Sequence, residues 1–363
     1  ELEARYLRIT PANNAAPKLA SIEVQPLEFA ATTNDFLKAV AARAPRGSYP
    51  RGFHGEQPYW TIVGNDGGIG QGLIGEDGAI ELGRGAPAIE PFVVSDSRLH
   101  SWADVETTQS LQDGYLPMPS VHWTHPQFRL DVTAFAAEQG KAASLHGVYT
   151  LTNTGKQARD YVLVLALRPF QVNPPSQFLS TTGGVSAVRE VAIAGNRLQA
   201  DAHTLQLSQP GAAAIASTFD RGGIVETLRA RDWKQPAGGS DAGINDPEGL
   251  ASGAVLYPLR LQPGESRSID WRSLLYGPKE SALPTGQAAA LQAGVADAWR
   301  DKLDRVRIRV PAQGQRVVDT LRTSLAHMLI SRIGPRLQPG TRSYARAWIR
   351  DGAMINEGPL RLG

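Results

Sequence analysis

Five side chains suited to gripping a polyol crowd into one short stretch. SYARAWIRDG, beginning at Ser343, places Tyr344, Arg346, Trp348, Arg350 and Asp351 within eight residues. A tryptophan offers a plane on which the C–H face of a sugar stacks, and arginine and aspartate supply donors and acceptors for neighbouring hydroxyls. Asp351 fits a second role equally well, as the N-cap of a helix over 352–358 with Arg350 in a surface ion pair. The residues alone leave both roles open.

Other constellations are weaker. GQGLIG (Gly70, Gly72, Gly75) has dinucleotide-loop spacing, but that loop must open a helix whose first amides hold the pyrophosphate. Here EDGAIELG follows, a second strand after an Asp-Gly turn, so a hairpin is expected. His122 and His125 are the closest pair among seven histidines, yet on a strand their side chains diverge to opposite faces. A strand end beside half-buried aromatics is favoured there over a metal site. No metal or cofactor is expected. Neither a G-x-S-x-G elbow nor a Walker loop occurs. Asp and Glu fall mostly in turns such as GEDG, SDS and NDPEG, so no carboxylate pair stands out as acid and base. Tyr59, Trp60, Trp102, Tyr115 and Trp123 form an aromatic-rich region, readable as sugar-stacking surface or as sandwich core.

The elements that must position these groups follow from periodicity. Between 59 and about 280, short apolar alternations (YWTIV, GAIELG, PFVVS, FRLDVTAF, LHGVYTLTN, AVLYPLRLQP, SRSIDWRSLLYG) are separated by Gly, Asn, Asp and Pro. That texture predicts a large antiparallel sandwich. YVLVLALRPF is apolar on both faces and belongs at a sheet centre. Before it, ARYLRI and SIEVQPLEF read as short strands, and NDFLKAVAARAP as a helix over 34–45 capped by Asn34, burying Phe36, Leu37, Val40 and Ala41. After Pro284 the period becomes helical, with Leu291, Val295, Trp299 and Leu303 on one stripe over 286–304. RVRIRVP makes an extended crossing. A second helix over 313–332 is expected to bury Val317, Leu321, Leu325 and Met328.

Composition excludes several classes. With 363 residues the chain can bury a sizeable core, and its net charge of +2 gives no argument for nucleic acid or an anionic membrane. No apolar run is long enough for a membrane-spanning helix. The absence of cysteine rules out disulfides, thiolate metal sites and a cysteine nucleophile. The chain starts at Glu1 without a signal-peptide pattern and stops as a helix is beginning, so a processed piece of a longer protein is expected.

The segment 343–363 resembles the start of the catalytic domain of six-hairpin, (α/α)6-barrel carbohydrate enzymes, the glucoamylases and the maltose and cellobiose phosphorylases. In glucoamylases a similar aromatic-x-Trp-x-Arg-Asp run opens a barrel helix and its Arg and Asp grip the sugar. The resemblance implies substrate-binding roles for Trp348, Arg350 and Asp351, with Tyr344 nearby. Several such families place a β-supersandwich and linker helices before the barrel, the order read here. ARYLRI resembles the closing strand of a discoidin-type domain. The expected fold is therefore mainly β: a strand segment over 1–30, a supersandwich over 31–284, a linker helix and crossing over 285–312, and the first helices of a truncated barrel over 313–363. Pro359 should end or kink the last helix. The implied function is a non-catalytic N-terminal part of a glycoside hydrolase or phosphorylase. Its partners would be an oligo- or polysaccharide, the rest of its own barrel and a second copy in a homodimer, in the periplasm or outside the cell. A carbohydrate-binding or cell-envelope adhesion module is the alternative, and a purely structural assembly protein the third reading.

Overall fold

The computed structural model describes residues 6, 8, 22–235, 238–278, 283 and 286–363. Two antiparallel sheets dominate it. The eight-stranded sheet runs Trp60–Val63, Gly72–Gly75, Ile80–Glu81, Ala88–Ser95, Arg159–Arg168, Ser252–Leu261 and Ala213–Ser217, with Arg98–His100 also paired to Ala88–Ser95. The nine-stranded sheet runs Ala242–Asn245, Glu190–Ala194, Arg197–Ala200, His203–Leu207, Ser266–Tyr276, Ala142–Asn153, Phe128–Gln139, Leu116–Thr124 and Glu106–Gln112. The expected sandwich is present. Between the sheets lies one continuous core that includes Trp123, Trp271, Tyr149, Val132, Leu163 and Ile89. Where two rings meet there, the Trp271 indole N–H donates to the Tyr149 hydroxyl at 3.3 Å, so neither polar tip is buried alone.

Arg159–Arg168, the strand apolar on both faces, does sit centrally, between Ala88–Ser95 and Ser252–Leu261. Its inward residues Leu163, Leu165 and Leu167 join the sandwich core, while Val164 and Ala166 face an outer helix. Pro258 lies in Ser252–Leu261 beyond the reach of Ala213–Ser217, which pairs only as far as Leu256, so that side of the strand has no ladder bond to lose there.

Among the described residues five α-helices join the sheets: α1 Thr33–Arg43, α2 Gly223–Ala230, α3 Ala288–Leu303, α4 Gln315–Ser331 and α5 Ile349–Leu362. α2 lays Ile224, Val225 and Leu228 on Phe92, Val164 and Leu256, outside the eight-stranded sheet. α3 and α4 cover the outer face of the nine-stranded sheet, with Trp299, Leu303, Leu325 and Ile330 on Leu116, Met118 and Phe135.

Several expectations are corrected. SIEVQPLEF forms no strand over its described residues: Ile22 to Pro26 are irregular and Leu27–Ala30 is a 3-10 turn, since Pro26 cannot donate to a ladder. α1 is capped by Thr32, whose hydroxyl accepts from the Asp35 N–H. Asn34 instead reaches across the chain, donating to Gly183 C=O at 2.9 Å and accepting from the Val185 N–H at 2.9 Å. On α4 the covered stripe is Val318, Leu325, Ala326 and Ile330, while Val317 and Leu321 are exposed. α2 and the edge strand Glu106–Gln112 were not foreseen. ARYLRI, with its discoidin likeness, lies outside the described residues apart from Tyr6 and Arg8, as does the boundary placed at Pro284.

Candidate functional site

The stretch before the polyol-type residues is tied to the sandwich by a buried ion pair. Arg342 donates from Nε to Glu81 Oε1 at 2.9 Å, and its Nη2 lies 2.7 Å from the same oxygen. Nη2 also donates to the Gln71 carbonyl at 3.0 Å, and the second carboxylate oxygen accepts from the Asn173 N–H at 2.9 Å. Both side chains are enclosed, 4% and 0% exposed. Burial pushes the Glu81 carboxyl up and Arg342 pulls it back. Every lone pair thus needs its partner, because an unmatched charge at this depth costs several kcal/mol. Ser343 adds a hydrogen bond to the Gln177 side chain.

A second tie fixes the end of α4. The Gly67 N–H donates to Leu329 C=O and the Gly334 N–H to Gly67 C=O, each at 2.9 Å. Asp66 accepts from Arg332 Nε at 2.8 Å and pairs with Lys302 of α3. The loop that performs these contacts, 64–71, runs straight into GQGLIG, which explains its glycines. A Cβ on Gly70 would stand 2.8 Å from Leu275 C=O, and one on Gly72 would stand 2.8 Å from Glu81 C=O. Gly72–Gly75 is a strand paired with Trp60–Val63, followed by a turn and Ile80–Glu81. The glycines allow close packing and open no helix, as the hairpin reading required.

Beyond the anchor, 344–351 emerges at the surface. Tyr344 is 54% exposed and Trp348 36%, with ring centroids 6.1 Å apart at 58°. The Arg346 guanidinium lies 5.6 Å from the Trp348 ring centre. Arg350 projects into solvent, 86% exposed, and its Nε is 3.9 Å from Asp351 Oδ2, too long for a hydrogen bond. The helix departs from expectation at both ends. α5 starts at Ile349, not 352, with Trp348 as its N-cap residue and no capping side chain. Asp351 therefore lies in the first turn, where its charge faces the positive helix end without capping it. Pro359 falls inside α5, which continues to Leu362. Arg305 secures that end by donating to Gly363 C=O at 2.9 Å. Of the four residues singled out from the sequence, Tyr344 and Trp348 are in ring contact and Arg350 and Asp351 follow in the first turn of α5, while anchor residues Glu81, Asn173 and Gln177 were missed.

The remaining candidates separate. Trp123 is in the core, and Trp102 is enclosed beneath Arg46 and Arg51, whose guanidinium carbons lie 4.4 and 4.3 Å from its ring centre. Tyr59 is exposed. His125 stacks on Phe128 at 4.5 Å, whereas His122 points outward and hydrogen-bonds Ser110 and Asp131. Among the described residues no group of three or more His, Cys, Asp or Glu could hold a metal, and no helix is long and apolar enough to cross a membrane.

A solved structure shares this architecture. A bacterial glucoamylase solved with acarbose matches over 84% of this chain and 50% of its own, with a TM-score of 0.57 and 12% identity. The chain thus spans about half the length of that glucoamylase. This is a glucoamylase-like fold. A putative kojibiose phosphorylase from the human microbiome matches over 77% of this chain and 35% of its own (TM-score 0.31, 8% identity). An α-mannosidase from Bacteroides thetaiotaomicron matches over 75% and 39% (TM-score 0.33, 9% identity). No family model and no curated protein matches the sequence. At 12% identity the glucoamylase likeness concerns architecture, and it agrees with the order of sandwich then helices read from the sequence.

Proposed function

We propose that this chain forms the supersandwich, linker and first barrel helices of a larger enzyme acting on glycosidic bonds, with Tyr344, Trp348, Arg350 and Asp351 along one edge of its sugar site. The observation that carries this reading is the exposed Tyr344–Trp348 pair followed by Arg350 and Asp351, held in place by the buried Arg342–Glu81 anchor. The half-length match to a glucoamylase supports it. In such an enzyme the general acid and the activating base would come from the remaining barrel. The leaving oxygen is protonated while water, in a hydrolase, or inorganic phosphate, in a phosphorylase, attacks the anomeric carbon. Trp348 would stack on the ring and Asp351 would accept from a hydroxyl, both fixing the sugar before displacement.

The test is turnover of gluco-oligosaccharides by the full-length protein, with and without inorganic phosphate. Asp351→Ala is expected to lower kcat/KM by about 10–100-fold, the loss of one charge-assisted hydrogen bond. Phosphate dependence then distinguishes a phosphorylase from a hydrolase. Unchanged turnover in both Asp351→Ala and Trp348→Ala would overturn the assignment of this edge.

A further inference from the structure

Outside the sugar edge, three strands place a serine, a histidine and an aspartate in hydrogen-bonded series. Ser110 stands on Glu106–Gln112, His122 on Leu116–Thr124 and Asp131 on Phe128–Gln139. His122 is directly opposite Asp131 in one ladder and opposite Thr108 in the other, which sets Ser110 diagonally across from it on the same face. Ser110 Oγ lies 2.7 Å from His122 Nε2, and His122 Nδ1 lies 2.5 Å from Asp131 Oδ1. Arg129 donates from Nε to the same carboxylate oxygen at 2.8 Å and its Nη2 is 3.3 Å from Nδ1.

From this geometry we infer that Ser110, His122 and Asp131 form a second reactive centre, a serine nucleophile with its base and orienting carboxylate, able to take the acyl group of a small ester. The connectivity is the one that activation needs: the nucleophile on one ring nitrogen and the carboxylate on the other, so that Nδ1 carries the proton and Nε2 is free to accept one. Ser110 is exposed, while His122 and Asp131 are mostly covered, at 20% and 26% exposure. Arg129 braces the carboxylate from the solvent side. A cleft of about 380 Å³ has Ser110 and Ser120 in its wall beside Gln109, Leu111, Pro119 and Val121, while His122 and Asp131 stand outside it. Among the described residues Glu106–Gln112 has a single neighbouring strand, so alternate backbone N–H groups along it point away from the ladder.

In the reaction, Ser110 Oγ bonds to the acyl carbon as its proton passes to His122 Nε2. The tetrahedral adduct collapses, breaking the bond to the alcohol oxygen, which leaves with that proton. Water then attacks the acyl-serine, giving a proton to Nε2 that returns to Oγ, and a carboxylic acid departs. No further reactant is needed.

The experiment is covalent trapping of the folded chain with a fluorophosphonate probe, followed by peptide mass mapping. The expected result is one adduct per molecule, at Ser110, formed with the native protein and lost in urea. His122→Gln should slow it about 100-fold, the range of a positioned general base, and Asp131→Asn should slow it as well. Absence of a Ser110 adduct in the native protein would overturn the proposal without recourse to any variant. An adduct whose rate is the same in His122→Gln would overturn it too, since that is an accessible serine and no more.

Discussion

Arg342 and Arg350 stand eight residues apart in one surface-hugging segment, and they occupy opposite extremes of environment. Arg342 is enclosed, with Glu81, the Gln71 carbonyl and its own neighbour's carbonyl absorbing its donors. Arg350 reaches into solvent with one distant carboxylate as company. Residue type is the same, so the contrast comes from what packs over each. The sandwich offers Arg342 a buried acid in Glu81, whereas nothing among the described residues covers Arg350. A charge satisfied on all sides cannot turn to a ligand without losing those bonds, but one held by water can exchange water for hydroxyls. The first arginine belongs to the scaffold, and the second is available for recognition.

The sharpest way to break this comparison is to remove one charge from each end. Arg342→Ala strands Glu81 in an enclosed site and is expected to cost about 3–5 kcal/mol of stability, read as a fall in the urea midpoint. Arg350→Ala should leave the midpoint in place. The double replacement Glu81→Leu with Arg342→Met should recover most of the loss, because no buried charge is then left alone. If Arg342→Ala unfolds at the wild-type urea concentration, the anchor does not hold the segment.

The same contrast appears in apolar form along α4. Leu325 is buried against the nine-stranded sheet, and Leu321, one turn earlier, is exposed. Leu325→Ala should cost about 2–5 kcal/mol and Leu321→Ala less than about 0.5 kcal/mol. Equal losses would mean that Leu321 is covered in solution by something further, which urea melts over a range of protein concentrations would reveal if that cover is a second copy.

These pairs also show where reading the sequence succeeds. Patterns that depend on neighbours along the chain were legible: the doubly apolar Arg159–Arg168, the Leu291–Val295–Trp299–Leu303 stripe, and the hairpin at GQGLIG. Patterns that depend on what arrives from afar were not. On α4, Val317, Leu321, Leu325 and Met328 follow the helical period as well as Val318, Leu325 and Ile330 do, and only the sheet decides which stripe is covered. α2 is eight residues long and opens on Gly222 and Gly223, residues that signal a turn. The chemical types proposed for a sugar edge were visible in ten residues, but the anchor before them joins positions 261 apart. Ser110, His122 and Asp131 are likewise joined by strand register, which side-chain spacing does not encode.

Buried titratable groups extend the comparison to pH, with the smallest expected effect. Asp77 is enclosed beside Arg51, Glu76 and Glu90, and burial outweighs the pull of Arg51 to hold its carboxyl up at about 7, against 3.8 ordinarily. Between those values the folded chain keeps a proton that the unfolded chain has released, so raising the pH from 4 to 7 weakens folding through this residue. His146 acts in the opposite sense. Stacked on Phe135 at 4.7 Å and hydrogen-bonded to Ser144, it is pushed down to about 4 by burial. Below 6.5 the unfolded chain takes up a proton that the folded ring refuses, so acid weakens folding through His146. Asp77→Asn removes the first dependence and leaves the second. Relative to wild type the variant should therefore gain stability between pH 5 and pH 8. Each tenfold difference in proton affinity between the folded and unfolded chain is worth ~1.4 kcal/mol and about two such steps fall between pH 5 and pH 8, so a difference of about 2–3 kcal/mol in urea melts at the two pH values is expected. A difference between variant and wild type that stays constant from pH 5 to pH 8 would show that Asp77 is already ionised beside Arg51 in the folded chain, and that its enclosure resembles that of Glu81 in partners as well as depth.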